Sequence, residues 1–134
     1  MPGDNSATIA AGAAVSFPQD GETSGISRSG GSDSQFVLEA IGVYAISWQV
    51  SLSEAGQLVL GLDGGLGVVE VAYSVAGRAT GTSQISNQVL LRTTAAHSLL
   101  TVRNPAGNAT ALTLSPQAGG ARPVSASVVI LQLR

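Results

Sequence analysis

The sequence predicts an all-β protein, a sandwich or a barrel of short strands, and three observations carry that reading. Seventeen glycines and five prolines among 134 residues cut the chain into short apolar runs. Helix formers are scarce, and no long stretch repeats its apolar residues every three to four positions. The run "GVYAISWQVSL" at 42–52 alternates strictly, with Tyr44, Ile46, Trp48, Val50 and Leu52 on one face and Ala45, Ser47, Gln49 and Ser51 on the other. Alternation with period two is the signature of a strand with one buried face.

The elements follow in order. The first twelve residues form a separate N-terminal segment, whose Pro2-Gly3-Asp4 is compatible with the last triplet of a Gly-X-Y tract. The head proper is then 13–134, a single domain with its first strand at 13–18. A polar, loop-rich stretch at 19–33 leaves room for one short strand at Gly25–Arg28. Further strands are expected at 34–40, 42–53, 56–63, 66–76, 82–94, 96–104, 109–115 and 123–133. "EAG" at 54–56 and "LDGGLG" at 62–67 read as hairpin turns in which glycine supplies positive φ. "NPAGN" at 104–108 and "PQAGGARP" at 116–123 read as turns built on proline and glycine.

The last strand differs from the others. In "VSASVVILQLR", Val128 and Ile130 face one way while Val129, Leu131 and Leu133 face the other. A strand apolar on both faces is covered on both. One cover is the opposing sheet; the second has to come from outside the domain. If 42–53 lies beside 123–133, the small residues Ala45, Ser47 and Gln49 share an outward surface with Val129, Leu131 and Leu133. A neighbouring copy is the simplest cover, and three copies joined head to tail close the most economical ring.

Composition agrees. Charged residues make up 10% of the chain against 44% hydrophobic, and a typical surface carries far more charge. The formal net charge is -2 and all six cations are arginines, so nothing favours a nucleic-acid partner. No run approaches the eighteen or so apolar residues of a membrane helix. The small apolar segment "ATIAAGAAVSF" has no basic residue before it and reads poorly as a signal peptide. Without cysteine there are no disulfides, thiolate metal sites or cysteine nucleophiles.

The chemistry that remains is sparse, and no cofactor is expected. His97 is the single histidine; it reads as a turn or surface residue rather than a general base, and Ser83 in "GTSQ" is not a nucleophile elbow. Asp20, Asp33 and Asp63 lie in loops without the Asp-x-Asp spacing of a calcium loop, and read as turn formers. Asn108-Ala109-Thr110 matches a glycosylation acceptor but sits where a turn already favours asparagine. Arg78, Arg92 and Arg103 lie in or beside strands. They read as solvated strand ends, or as partners of Glu39, Glu54 or Glu70 between subunits. An enzyme is not expected.

Four phrases in order, "GVYAISWQVSLSEAGQLVLGLDG", "VAGRATGTSQISNQVLLRT", "LTVRNPAGNATALTLSPQAGG" and "PVSASVVILQL", resemble the C-terminal head of collagen-like exosporium glycoproteins of spore-forming bacteria. The resemblance covers 17–133. It implies a jelly-roll β-sandwich of the complement-globular-head and tumour-necrosis-factor type that assembles as a homotrimer, caps a collagen-like stalk of the same chain and stands on the spore surface. It places Ala45, Ser47 and Gln49 toward the threefold axis with Val129, Leu131 and Leu133 alongside, and Ile85 completes the expected interface. The chain departs from that pattern in "SEAG", where a Glu-Pro-Gly turn is usual, and in the longer, more apolar "GGLGVVEVAYSV". An adhesin-like module that binds a host protein or glycan through its loops, or the tip of a phage or other appendage fibre, is the alternative.

Overall fold

The computed structural model describes residues 8–17, 20–23, 25–78, 83–108, 111–114 and 126–134, with backbone alone at 83 and 84. It is all-β, a jelly-roll sandwich. Among the described residues eleven strands run in order: β1 (Thr8–Ile9), β2 (Ile26–Arg28), β3 (Phe36–Leu38), β4 (Val43–Leu52), β5 (Gly56–Asp63), β6 (Val68–Glu70), β7 (Ala76–Arg78), β8 (Ser83–Arg92), β9 (Ser98–Arg103), β10 (Leu112–Thr113) and β11 (Ala126–Gln132). One layer has the order β11-β4-β8. The other runs β2-β3-β9-β5-β6, with β7 also on β5. Successive long strands alternate between layers: β3 in one, β4 in the other, then β5, β8, β9 and β11 in turn. That alternation is what wraps a chain into a jelly roll. Among the described residues no helix is long and apolar enough to cross a membrane.

The core lies between the layers. Tyr44, Ile46, Trp48, Val50 and Leu52 from β4 meet Leu58 and Leu60 from β5 and Leu100 and Val102 from β9 in one cluster. Burying each large side chain contributes about 1.5–3 kcal/mol. The one polar atom of Tyr44 is satisfied, since its hydroxyl donates to Ala40 O at 2.6 Å. β11 pairs with β4, so the condition set on 42–53 and 123–133 is met, with Val129 opposite Ser47 and Leu131 opposite Ala45.

Three expectations are corrected. The described part of the 13–18 segment, 13–17, forms one bridge, Ala14 to Arg103, rather than a strand, although Val15 and Phe17 are buried, and 18 lies outside the described residues. Chain packing also begins earlier: β1 lies within the first twelve residues, pairs with β10, and puts Ile9 into the core. Asn104 holds it there, donating from a fully buried carboxamide to Ile9 O at 3.0 Å. Third, the stretch 66–76 is two short strands broken by a 3₁₀ turn at Ala72–Ser74. Gly61 pairs with Glu70 and Leu58 with Ala76, so three steps along β5 are matched by six along its partner. The surplus is a bulge.

The glycines divide by purpose. At the β5–β6 turn, Gly65 and Gly67 have φ of 116° and 102°, and both amides donate to Asp63 Oδ1, at 2.8 and 3.2 Å. That is the positive φ expected of "LDGGLG". Gly56, in "EAG", has no positive φ; a Cβ there would sit 2.3 Å from Leu112 Cδ2, so the residue is small to admit Leu112. Gly61 is similar, with Arg103 Cδ at 2.6 Å, Thr101 Oγ1 at 2.7 Å and Val68 Cγ1 at 2.8 Å from the site of a Cβ. Gly61→Ala is expected to lower stability by about 1–3 kcal/mol, the usual cost of overpacking, read as a lower urea midpoint.

Candidate assembly surface

The outward face of the three-stranded layer is defined by ladder register. Leu131, Ala45 and Leu90 form one row, and Val129, Ser47 and Gln88 the next. Ser127, Gln49 and Ser86 form the third. Leu133 extends the apolar end, its amide donating to Val43 O at 2.8 Å. The face therefore grades from aliphatic at the start of β4 to polar at its end. Four large side chains on it stand in water in the single chain: Val129 is 54% exposed, Leu131 57%, Leu133 54% and Leu90 62%. Between them the central strand contributes Ala45, Ser47 and Gln49. A shallow depression lies over Ser47, Gln49, Ser86, Gln88 and Ser127.

Six of the seven residues expected at the interface, Ala45, Ser47, Gln49, Val129, Leu131 and Leu133, fall on this face. Ile85 does not. It pairs with Val50, is 2% exposed and belongs to the core. The outward apolar residue of β8 is Leu90, which sequence reasoning passed over. Its signal was present in "QVLLRT", where three adjacent apolar residues cannot all point inward.

Beside Leu90 the surface turns a corner. The bulge at Ala72–Ser74 carries Tyr73, 65% exposed, whose hydroxyl donates to Leu90 O at 3.3 Å. Val75 is exposed next to it in sequence. Ser74 anchors the bulge from beneath: its buried hydroxyl accepts Leu60 N–H at 2.9 Å and donates to Val71 O at 2.6 Å. The Asn87 carboxamide ties it to β8, donating to Ser74 O at 3.1 Å.

Several charged side chains are engaged by the chain's own backbone. Arg78 donates to Glu54 O at 2.6 Å and Leu52 O at 3.3 Å, and Arg103 to Gly12 O at 2.7 Å. The carboxylate of Glu70 accepts from Ala106 N at 2.7 Å, and that of Glu54 from Thr113 N. Arg28 is the most engaged. It pairs with Asp20, donates to Phe17 O, Ser32 O and Asp33 O, and lies 5.1 Å from the Phe36 ring centre. Arg92 is exposed at the end of β8.

His97 occupies a turn in left-handed conformation, φ 57°, with Nδ1 2.7 Å from Glu39 Oε2 and its amide donating to Glu39 O. That is the turn role expected of it, stapling the β8–β9 connection to the end of β3. Asp63 caps a turn and Asp20 pairs with Arg28. Among the described residues no three or more His, Asp or Glu side chains gather as a metal site.

In comparison with solved structures, the chain is similar to the globular domain of zebrafish complement 1qA protein. Identity is 15%, the TM-score is 0.49, and the alignment covers 76% of this chain and 71% of that one. No family model matches the chain. No curated protein matches it.

Proposed function

We propose that this chain is a non-enzymatic structural head that trimerises at the tip of a bacterial collagen-like surface filament, extracellular and on the spore exosporium. The observation that carries the assembly is the exposed row Leu131–Ala45–Leu90 with Val129 and Leu133 beside it. Aliphatic patches of this kind on a surface so poor in charge mark an interface. The four sequence phrases that resemble exosporium heads supply the filament and its location, and Pro2-Gly3-Asp4, ahead of β1, is compatible with the last triplet of a stalk. Mechanically, a compact trimer holds three stalk chains at an effective concentration of about millimolar and sets them in register. The non-enzymatic reading is supported by the reactive side chains, which are engaged in turns and ladders.

Sedimentation equilibrium at micromolar concentration is expected to give three times the chain mass; a monomer there overturns the proposal.

A recognition module acting through loops is favoured by one observation. Leu66, at the tip of the β5–β6 hairpin, is entirely exposed. Gly64 of that tip packs near Ala95 in the β8–β9 turn, at the end of the sandwich opposite β1 and β10. Glycan or host-protein binding abolished by Leu66→Ser would support this second reading.

A further inference from the structure

We infer that β6 is a contact site for a second copy of the chain: the Val68–Glu70 edges of two copies pair antiparallel about a twofold axis at Val69. The larger layer of one copy thereby continues into that of the next. This contact lies on a different layer from the face assigned to the trimer and does not depend on it.

The ladder shows which backbone groups are free. Val71 N–H donates to Leu60 O at 2.8 Å, so in this antiparallel register 60 with 71 and 62 with 69 are the hydrogen-bonded pairs. The N–H and C=O groups of Val68 and Glu70 therefore point away from β5. β6 ends the order β2-β3-β9-β5-β6, and among the described residues no strand lies on its far side. All three of its residues are exposed, Val69 to 68%.

An open edge is ordinarily guarded by lysine, proline, a bulge or a free charge. The chain has no lysine, 68–70 contains no proline, and the bulge begins only beyond Glu70. The one charge, on Glu70, is turned onto Ala106 N–H. The opposite edge of the layer, β2, exposes only Ser27. β6 is the edge left bare, with two valines on it.

The edge supplies its own complement. A twofold axis at Val69 sets Val68 against Glu70 of the second copy and Glu70 against its Val68. Both are hydrogen-bonded pairs, because both residues direct their backbone groups outward. Centring the axis on Val68 or Glu70 instead leaves a single such pair, and the latter also sets two glutamates directly opposite. The favoured register carries Leu66 of each copy level with Ala72 of the other, beside exposed Tyr73. Leu66 is wholly uncovered in the single chain. A trimeric head bears three of these edges, so the contact joins neighbouring heads side by side.

The chain has no cysteine, so an introduced thiol is unique. The twofold sets the two 69 side chains opposite each other in a non-hydrogen-bonded pair, where Cα atoms stand about 4.5 Å apart, within disulfide reach. Val69→Cys is expected to form a linked pair under mild oxidation. Leu66→Cys, at a more exposed position, is not, because the twofold holds its two copies apart. Val69→Cys/Leu131→Asp is expected to link as well, since the trimer face takes no part. In the wild type, amide exchange at Val68 and Glu70 is expected to slow between micromolar and millimolar concentration, with Leu62, already in the ladder, as reference. A synthetic peptide of residues 66–73 is expected to suppress the link. Equal suppression by a valine–threonine repeat assigns the edge to any extended chain and overturns a second copy as its occupant. A trimer in which Val69→Cys fails to link, or links no better than Leu66→Cys, overturns the edge contact while the trimeric reading stands. A monomeric wild-type chain whose Val69→Cys variant links overturns the trimeric reading and leaves this contact in place.

Discussion

Leu131→Asp is expected to abolish assembly and leave a folded monomer. In the isolated chain this side chain is more than half exposed, on the outward side of an edge strand. A carboxylate there meets water, and such substitutions change stability by about 0.5 kcal/mol or less. In the assembled molecule the same carboxylate would be buried against apolar neighbours. Removing an unpaired charge from water costs several kcal/mol, and about 1.4 kcal/mol is already tenfold in an equilibrium constant. Each contact is therefore expected to weaken at least a hundredfold, and a ring repeats the penalty at every contact. Val129→Asp is expected to behave alike, whereas Glu22→Ala, at an exposed loop position, leaves assembly unchanged. Sedimentation equilibrium reads the mass and far-ultraviolet circular dichroism the fold. Equal effects from the apolar-face and loop substitutions would remove the apolar face as the cause of assembly.

The sandwich was legible wherever one face of a strand is buried and the other is not. β4 shows this best: its inward positions 44 to 52 are all large and apolar, and those alternating with them from Ala45 to Ser51 are all small or polar. β11 was legible for a different reason. Its two apolar faces left no way for a single layer to cover it, and the structure leaves its outward side exposed in the single chain. β8 was harder. Its inward positions are Ile85, Asn87, Val89 and Leu91, and the polar Asn87 opposite Trp48 breaks the alternation. Asn87 is tolerated there because Ser74 O accepts its amide, a partner thirteen positions away that no local pattern reveals. Leu90, the outward residue between Val89 and Leu91, was obscured by that break. The bulge was hidden for a related reason. "VVEVAYSV" alternates well enough to pass as one strand, and the surplus appears only when its partner β5 is laid beside it. Arg78 and Arg103 were read as strand-end or inter-subunit charges because their acceptors include carbonyl groups, which carry no sequence signature.

Ser74→Ala is expected to be the most damaging single-atom deletion at the bulge, lowering stability by about 2–3 kcal/mol. In a regular ladder Leu60 N–H would donate to a backbone carbonyl across the pair. The bulge takes that carbonyl away, and the Ser74 hydroxyl stands in its place at 2.9 Å. Both residues are fully buried. Alanine leaves the amide with no acceptor and no water, and a buried donor left unmade costs more than the bond itself contributes. Val71 O is less affected, because it keeps the Ser74 amide as a donor at 2.9 Å. The loss should therefore concentrate on β5 and the turn above it, visible as faster amide exchange at Leu60 in addition to a lower urea midpoint. Tyr73→Ala is the control: it deletes an exposed ring and keeps the Ser74 hydroxyl on Leu60 N–H, so exchange at Leu60 stays near the wild-type rate. If Ser74→Ala instead unfolds at the wild-type midpoint with unchanged exchange at Leu60, the hydroxyl is not what closes the ladder, and the corner owes its position to something other than this bond.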